Sequence, residues 1–260
     1  TGFSYVNSLA TLLVISMDAL MIAKFKGLSQ TGIYTTMLFL ISAIIFPYRA
    51  ILRVATPLVS LQWKERNKAG MQELYQKSSS IGLLLSLLGF LGVWIVIDEL
   101  FSLIPAYASG KWVFFFLMMG RIVDMYFGLN AVIFSTSKKY RVDLFFTVLL
   151  IVGVYLANLW LIPIYGMVGA AWATVVAYLL MFLMVLLISK KYYVIKYDVG
   201  KLFKITSAAL CSFALAQFLN DTDRDMLLNS IMKIIILIGL SAFIWRCVVS
   251  SQMISQLKYK

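Results

Sequence analysis

Two long apolar runs, Leu144–Trp160 and Met167–Ile188, are separated only by Leu161-Ile162-Pro163-Ile164-Tyr165-Gly166. Each run is long enough to cross a hydrocarbon core as a helix, which takes roughly 20 residues. The connector has room for nothing but a tight turn, so the two helices must be antiparallel neighbours. Basic residues stand at both outer ends, Lys138, Lys139 and Arg141 before the unit and Lys190 and Lys191 after it. Cytoplasmic loops carry an excess of Lys and Arg, which places the basic ends inside and the Pro–Gly turn outside. This hairpin sets the orientation expected for the whole chain.

The rest of the sequence extends the pattern. At 62% hydrophobic residues, the chain lies well above the share of roughly half found in soluble domains. An all-α, polytopic membrane protein is expected. Apolar segments at 3–23, 31–55, 79–98, 111–135, 143–162, 166–189, 203–219 and 228–249 predict about eight transmembrane helices. The division expected is a six-helix transmembrane bundle over 1–190, then two additional helices and a cytoplasmic C-tail over 191–260. With both termini inside, the inner loops hold Lys64, Arg66, Lys68 and Lys77, the basic flanks of the hairpin, and Lys196, Lys201 and Lys204. The outer loops hold only Lys24, Lys26, Lys111 and Arg224. That asymmetry supports the span count, because one missed or added span would scramble it.

Several function classes are disfavoured. A net charge of +12 would suggest nucleic acid in a soluble chain, but here it is topogenic charge, and no nucleic-acid partner is expected. Cys211 and Cys247 lie inside apolar runs without metal or disulfide spacing. Histidine is absent, which removes the commonest general base. Together with short outer loops, this argues against an intramembrane glycosyltransferase, acyltransferase or polymerase. No G-x-x-x-x-G-K-[ST] motif occurs, so no ATP site and no cofactor are expected. The chain opens on Thr1 without a charged segment before its first apolar run, so a fragment or trimmed chain without a signal peptide is expected.

Polar residues inside the spans are the candidate functional groups. Ser4, Ser8, Thr11 and Asp18 recur at helical spacing in the first span and so share one face. A carboxylate in a span belongs against protein or water, unless it simply reaches the headgroups. The second span has Thr35, Ser42, Arg49 and Thr56 at heptad spacing, with Arg53 one turn beyond Arg49 and Pro47 between. The two arginines fit an anionic ligand arriving from the cytoplasm, or interface anchors that snorkel. In the fourth span Arg121 and Asp124 are three residues apart near mid-membrane, with Gly120, Gly128 and Ser135 expected on the same side. Such a pair lines a substrate or ion pathway, or ties two helices together. Asn130 is expected on a different face, as a helix–helix contact. Gly166, Gly169, Ala170, Ala173 and Ala177 give the small-residue spacing of close helix packing.

The segment Asn158–Thr174 resembles the "LN-x-x-LIP-x-YG-x-x-GAA-x-AT" hairpin of polysaccharide flippases in the multidrug/oligosaccharidyl-lipid/polysaccharide exporter superfamily. Asp18–Tyr34 is similar to that family's aspartate-containing helix and "vGxY" turn. Pro57–Lys68 is similar to its "P…K" inner loop, and Asn130–Tyr140 to its "N…tgK.Y" helix exit. The resemblance covers 1–190. It implies the C-terminal bundle of a flippase plus two trailing helices, with a missing N-terminal lobe of the same protein as partner. It also implies membrane translocation of a polyprenyl-pyrophosphate-linked oligosaccharide, as in O-antigen and lipopolysaccharide biosynthesis, across a bacterial inner membrane. A coupling cation is a further possible partner.

A multidrug or small-cation exporter on the same scaffold is the alternative, and a fragment inactive without its first lobe is another. Acidic rather than basic cavity charge would favour the drug exporter; Arg49 and Arg121 favour an anionic substrate. The orientation is testable. With Cys211 and Cys247 replaced by Ala, Tyr165→Cys should react with a membrane-impermeant maleimide added outside intact cells; labelling only after permeabilisation would invert the topology.

Overall fold

The computed structural model describes residues 16–137 and 140–192, together with isolated positions in the last 70 residues. The expected spans at 203–219 and 228–249, and most of the one at 3–23, lie outside the described residues. Those described are helical throughout, with no strand among them. We label the helices α1 (16–26), α2 (Leu28–Glu65), α3 (Lys68–Leu103), α4 (Lys111–Ser135), α5 (Tyr140–Tyr165) and α6 (Met167–Tyr192), with a 3-10 turn at Pro105–Gly110 before α4. Five of them, α2 to α6, are long and apolar enough to cross a membrane. This is a polytopic membrane protein.

Local sequence explains where each helix stops. Gly27 takes a positive φ of 86° between α1 and α2, a conformation open to glycine at no steric cost. Arg66 closes α2 in the left-handed region at φ 54°, and the Asn67 side chain caps α3 by accepting from the Gly70 amide at 2.9 Å. The polar stretch Gln62–Lys77 is therefore the meeting of two helices across a two-residue turn. At 38 and 36 residues, α2 and α3 are roughly 55 Å long, far more than the hydrocarbon requires. The predicted span 111–135 coincides with α4. In the hairpin, α5 continues through Pro163 to Tyr165, and Gly166 at φ 61° is the whole turn. Gln30 at the start of α2 accepts from the Met167 amide beside it at 3.3 Å.

α4 is the central element and packs against α2, α3 and α6, while α5 packs mainly on α6. The core holds Tyr34, Ile41, Leu83, Leu91, Ile97, Phe114 and Met118. Gly82 on α3 and Gly128 on α4 lie against the Tyr48 ring of α2, which corrects the expectation that Gly120 and Gly128 share one side: Gly120 lies against Tyr178 and Val175 of α6. At the end of the bundle near Gly110, rings from α3, α4 and α6 form a cluster of Phe90, Trp94, Trp112, Phe115, Phe116 and Trp172. Lys111 sits 5.1 Å from the Trp94 ring centre and bonds Asp98. Aromatic side chains with a basic neighbour are typical of the membrane interface.

α5 and α6 approach closely at Gly169, where an added Cβ would strike the Leu161 carbonyl. Gly169→Val should lower stability by about 1–3 kcal/mol through overpacking. Gly153, with open space around it, should gain up to about 1 kcal/mol on replacement by Ala. Thermal unfolding in detergent reads both; equal effects would contradict the close approach.

Candidate functional site

Asp18 is 4% exposed and points into the bundle from α1, so it does not reach the headgroups. Three helices supply its partners. Tyr34 of α2 donates its hydroxyl to Oδ2 at 2.9 Å, Thr174 of α6 donates to the same oxygen at 3.3 Å, and the Asn158 amide of α5 donates to Oδ1 at 2.5 Å. A buried carboxylate is tolerated when its lone pairs are met by donors, and this one collects them from three other segments. The Asn158 Oδ1 atom is buried beside it with no hydrogen-bond partner among the described residues.

A second polar group lies one turn further along α6. Thr174 and Tyr178 are four residues apart and so share a face. Arg121 Nη1 donates to the Tyr178 hydroxyl at 2.5 Å and to Asp124 Oδ2 at 3.1 Å. Its guanidinium also lies over the Tyr178 ring, 5.1 Å from the centre, a favourable cation–π distance. The Arg121 side chain is 17% exposed and that of Asp124 40%, so the pair leads from the interior toward the surface. Asp18 and Arg121 carry opposite charges and bond neighbouring hydroxyls of α6, those of Thr174 and Tyr178. The structure thus brings three of the predicted site residues, Asp18, Arg121 and Asp124, into one neighbourhood.

Arg49 and Arg53 are elsewhere. Both are exposed on α2, on the face that carries Thr35 and Thr56, and neither forms a salt bridge among the described residues. The hydroxyls of that stripe bond their own helix, Thr35 to the Thr31 carbonyl at 2.9 Å and Thr56 to that of Leu52 at 2.8 Å. Asn130 is buried on α4. Sequence reasoning missed Tyr34, Asn158, Thr174 and Tyr178 as site residues. The first three stand at the Tyr, Asn and Thr of the motif blocks quoted above, and that coincidence was the available signal.

No group of three or more His, Cys, Asp or Glu suited to a metal occurs among the described residues. A single carboxylate with amide and hydroxyl oxygens is instead a hard, weakly charged donor set, suited to a proton or an alkali cation held by oxygen. The orphaned Asn158 Oδ1 fits such an occupant. Fold and site together define a multi-pass helical membrane protein with ionisable groups at its interior. In a search of solved structures the chain matches the lipid II flippase MurJ in its inward closed conformation, at a TM-score of 0.64 and 10% identity. The match covers 90% of this chain and 53% of that one, so the chain spans about half the length of that protein. No protein-family model and no curated protein sequence matches the chain. The likeness establishes a shared fold.

The hydrogen bonds to Asp18 can be weighed by deletion. Tyr34→Phe should cost about 1–3 kcal/mol, the usual effect of stripping a buried charged acceptor of a donor. In Asp18→Asn the same substitution should cost less. Unfolding midpoints of the four proteins in the cycle measure the coupling, and additivity would show that the bond contributes nothing.

Proposed function

We propose that this chain is the C-terminal lobe of a flippase of the multidrug/oligosaccharidyl-lipid/polysaccharide exporter superfamily, moving a polyprenyl-pyrophosphate-linked oligosaccharide from the inner to the outer leaflet. The observation that carries this reading is a carboxylate and an arginine–aspartate pair inside the apolar bundle of a fold shared with a lipid II flippase. Ionisable groups within a membrane bundle are expensive and mark pathways and coupling sites. Four motif resemblances in chain order support the same assignment.

The residues divide the work. Arg49 and Arg53, on the exposed polar face of α2, meet the anionic pyrophosphate as it enters from the cytoplasm; guanidinium groups suit phosphate oxygens. Asp18, Asn158 and Thr174 hold the coupling cation or proton. Arg121 and Asp124 connect that seat to the surface. The first lobe, on the N-terminal side in the complete protein, supplies the other wall of the cavity, since alternating access needs two bundles rocking about a shared site. The protein then resides in a bacterial plasma membrane with the termini of this chain cytoplasmic, and serves surface-polysaccharide synthesis such as that of O-antigen.

In the complete protein, Arg121→Ala and Asp124→Ala should each abolish surface glycan while leaving membrane insertion intact, and Arg49→Ala with Arg53→Ala should lower it about tenfold or more. Glycan display with flow cytometry and a membrane-fraction blot measure both. Unchanged display in all three variants would remove the proposal. Reduced efflux of a cationic dye with normal glycan would transfer it to the small-cation exporters.

A further inference from the structure

We infer that Arg121 is a resident competitor for Asp18: a tethered cation that sets how tightly the Asp18 seat binds a free one. This rests on the reading of Asp18 as the cation seat. The geometry supports it at four points. Thr174, which bonds Asp18, and Tyr178, which bonds Arg121, are one turn apart on the same face of α6, so the two charges are held by neighbouring side chains of one helix face. The ionised Asp18 and Arg121 carry opposite charges and therefore attract each other. Both hydrogen bonds of Arg121 among the described residues use Nη1, whereas a guanidinium carries five donors; the remaining ones are unengaged there. Finally, Asp124 offers an alternative anion on the outer side of Arg121, and it is the more exposed of the two carboxylates.

Among the described residues, the groups facing Asp18 are Tyr34 from α2, Arg121 from α4, Asn158 from α5, and Thr174 with Tyr178 behind it from α6. Arg121 is the one full positive charge among them. An empty seat leaves the ionised Asp18 drawing on Arg121. A bound cation cancels that charge and repels the guanidinium, which is then left to Asp124. Asp124 and the free cation therefore act on the same side, and Arg121 opposes them. Arg121 is a positioning residue whose partner reports whether the seat is filled. The exposure of Asp124 carries that report toward the surface of the bundle.

Opposite signs from two neighbouring substitutions provide the test. In the full chain, purified in detergent, Na+ is titrated at constant ionic strength with choline as the balancing cation, and binding is followed by calorimetry. Arg121→Gln should bind Na+ about tenfold or more tightly, the size expected for removing a nearby like charge in a partly screened interior. Asp124→Asn should weaken binding severalfold, because Arg121 is released toward Asp18. The double variant should match Arg121→Gln alone, and Arg121→Lys, which keeps the charge, should stay near the parent. Shifts of the same sign in both single variants, or an Asp124→Asn effect that persists without Arg121, would overturn the inference. Absence of saturable Na+ binding in the parent and in Asp18→Asn alike would instead remove the cation seat, and the inference with it. A gel-filtration profile matching the parent identifies the variants that remain folded.

Discussion

A carboxylate inside an apolar bundle is stable only when something meets its lone pairs, and here three helices do so at once. Asp18 ties α1 to Tyr34 on α2, Asn158 on α5 and Thr174 on α6. Removing two or more of those partners would leave an unsolvated charge costing several kcal/mol. The neighbouring arrangement follows from this knot. Thr174 fixes the rotation of α6, which places Tyr178 one turn on, over Arg121, and Arg121 selects Asp124 on its own helix. The polar interior is one chain of contacts, continuous from α1 to the half-exposed Asp124.

Much of the fold was readable because bilayer helices obey few rules. Hydrocarbon demands long apolar runs, and the boundaries of α4 and the sharp α5–α6 hairpin follow from that alone. Polar continuation past the membrane was harder to place: Gln62–Lys77 carries charges that say "outside the hydrocarbon" but not where one helix becomes the next. Only Arg66 in its left-handed conformation and the Asn67 cap decide it.

The site was half legible. Charges announce themselves, so Asp18, Arg121 and Asp124 stood out in the sequence. Their partners did not, because a tyrosine, threonine or asparagine on an apolar helix has many ordinary explanations. Asn158 and Thr174 lie 140 and 156 residues from Asp18 along the chain, beyond any periodicity argument. The polar stripe of α2 is a separate feature. Its heptad spacing is real, yet it faces away from the Asp18 knot, and its hydroxyls are satisfied by their own carbonyls. The arginines on that face are exposed and form no salt bridge among the described residues.

The α2–α3 pair has a mechanical consequence. Each helix is about twice as long as the hydrocarbon is thick, and the turn at Arg66–Asn67 joins them at one end. Two helices packed along their length and pinned at the tip bend together or not at all. Because α2 shares contacts with α4 as well as α3, a small rotation of the core would sweep the distal turn through a wider arc, as an oar blade moves further than the hand. The overhang is thus a long arm fastened to the same helices that enclose the buried charges.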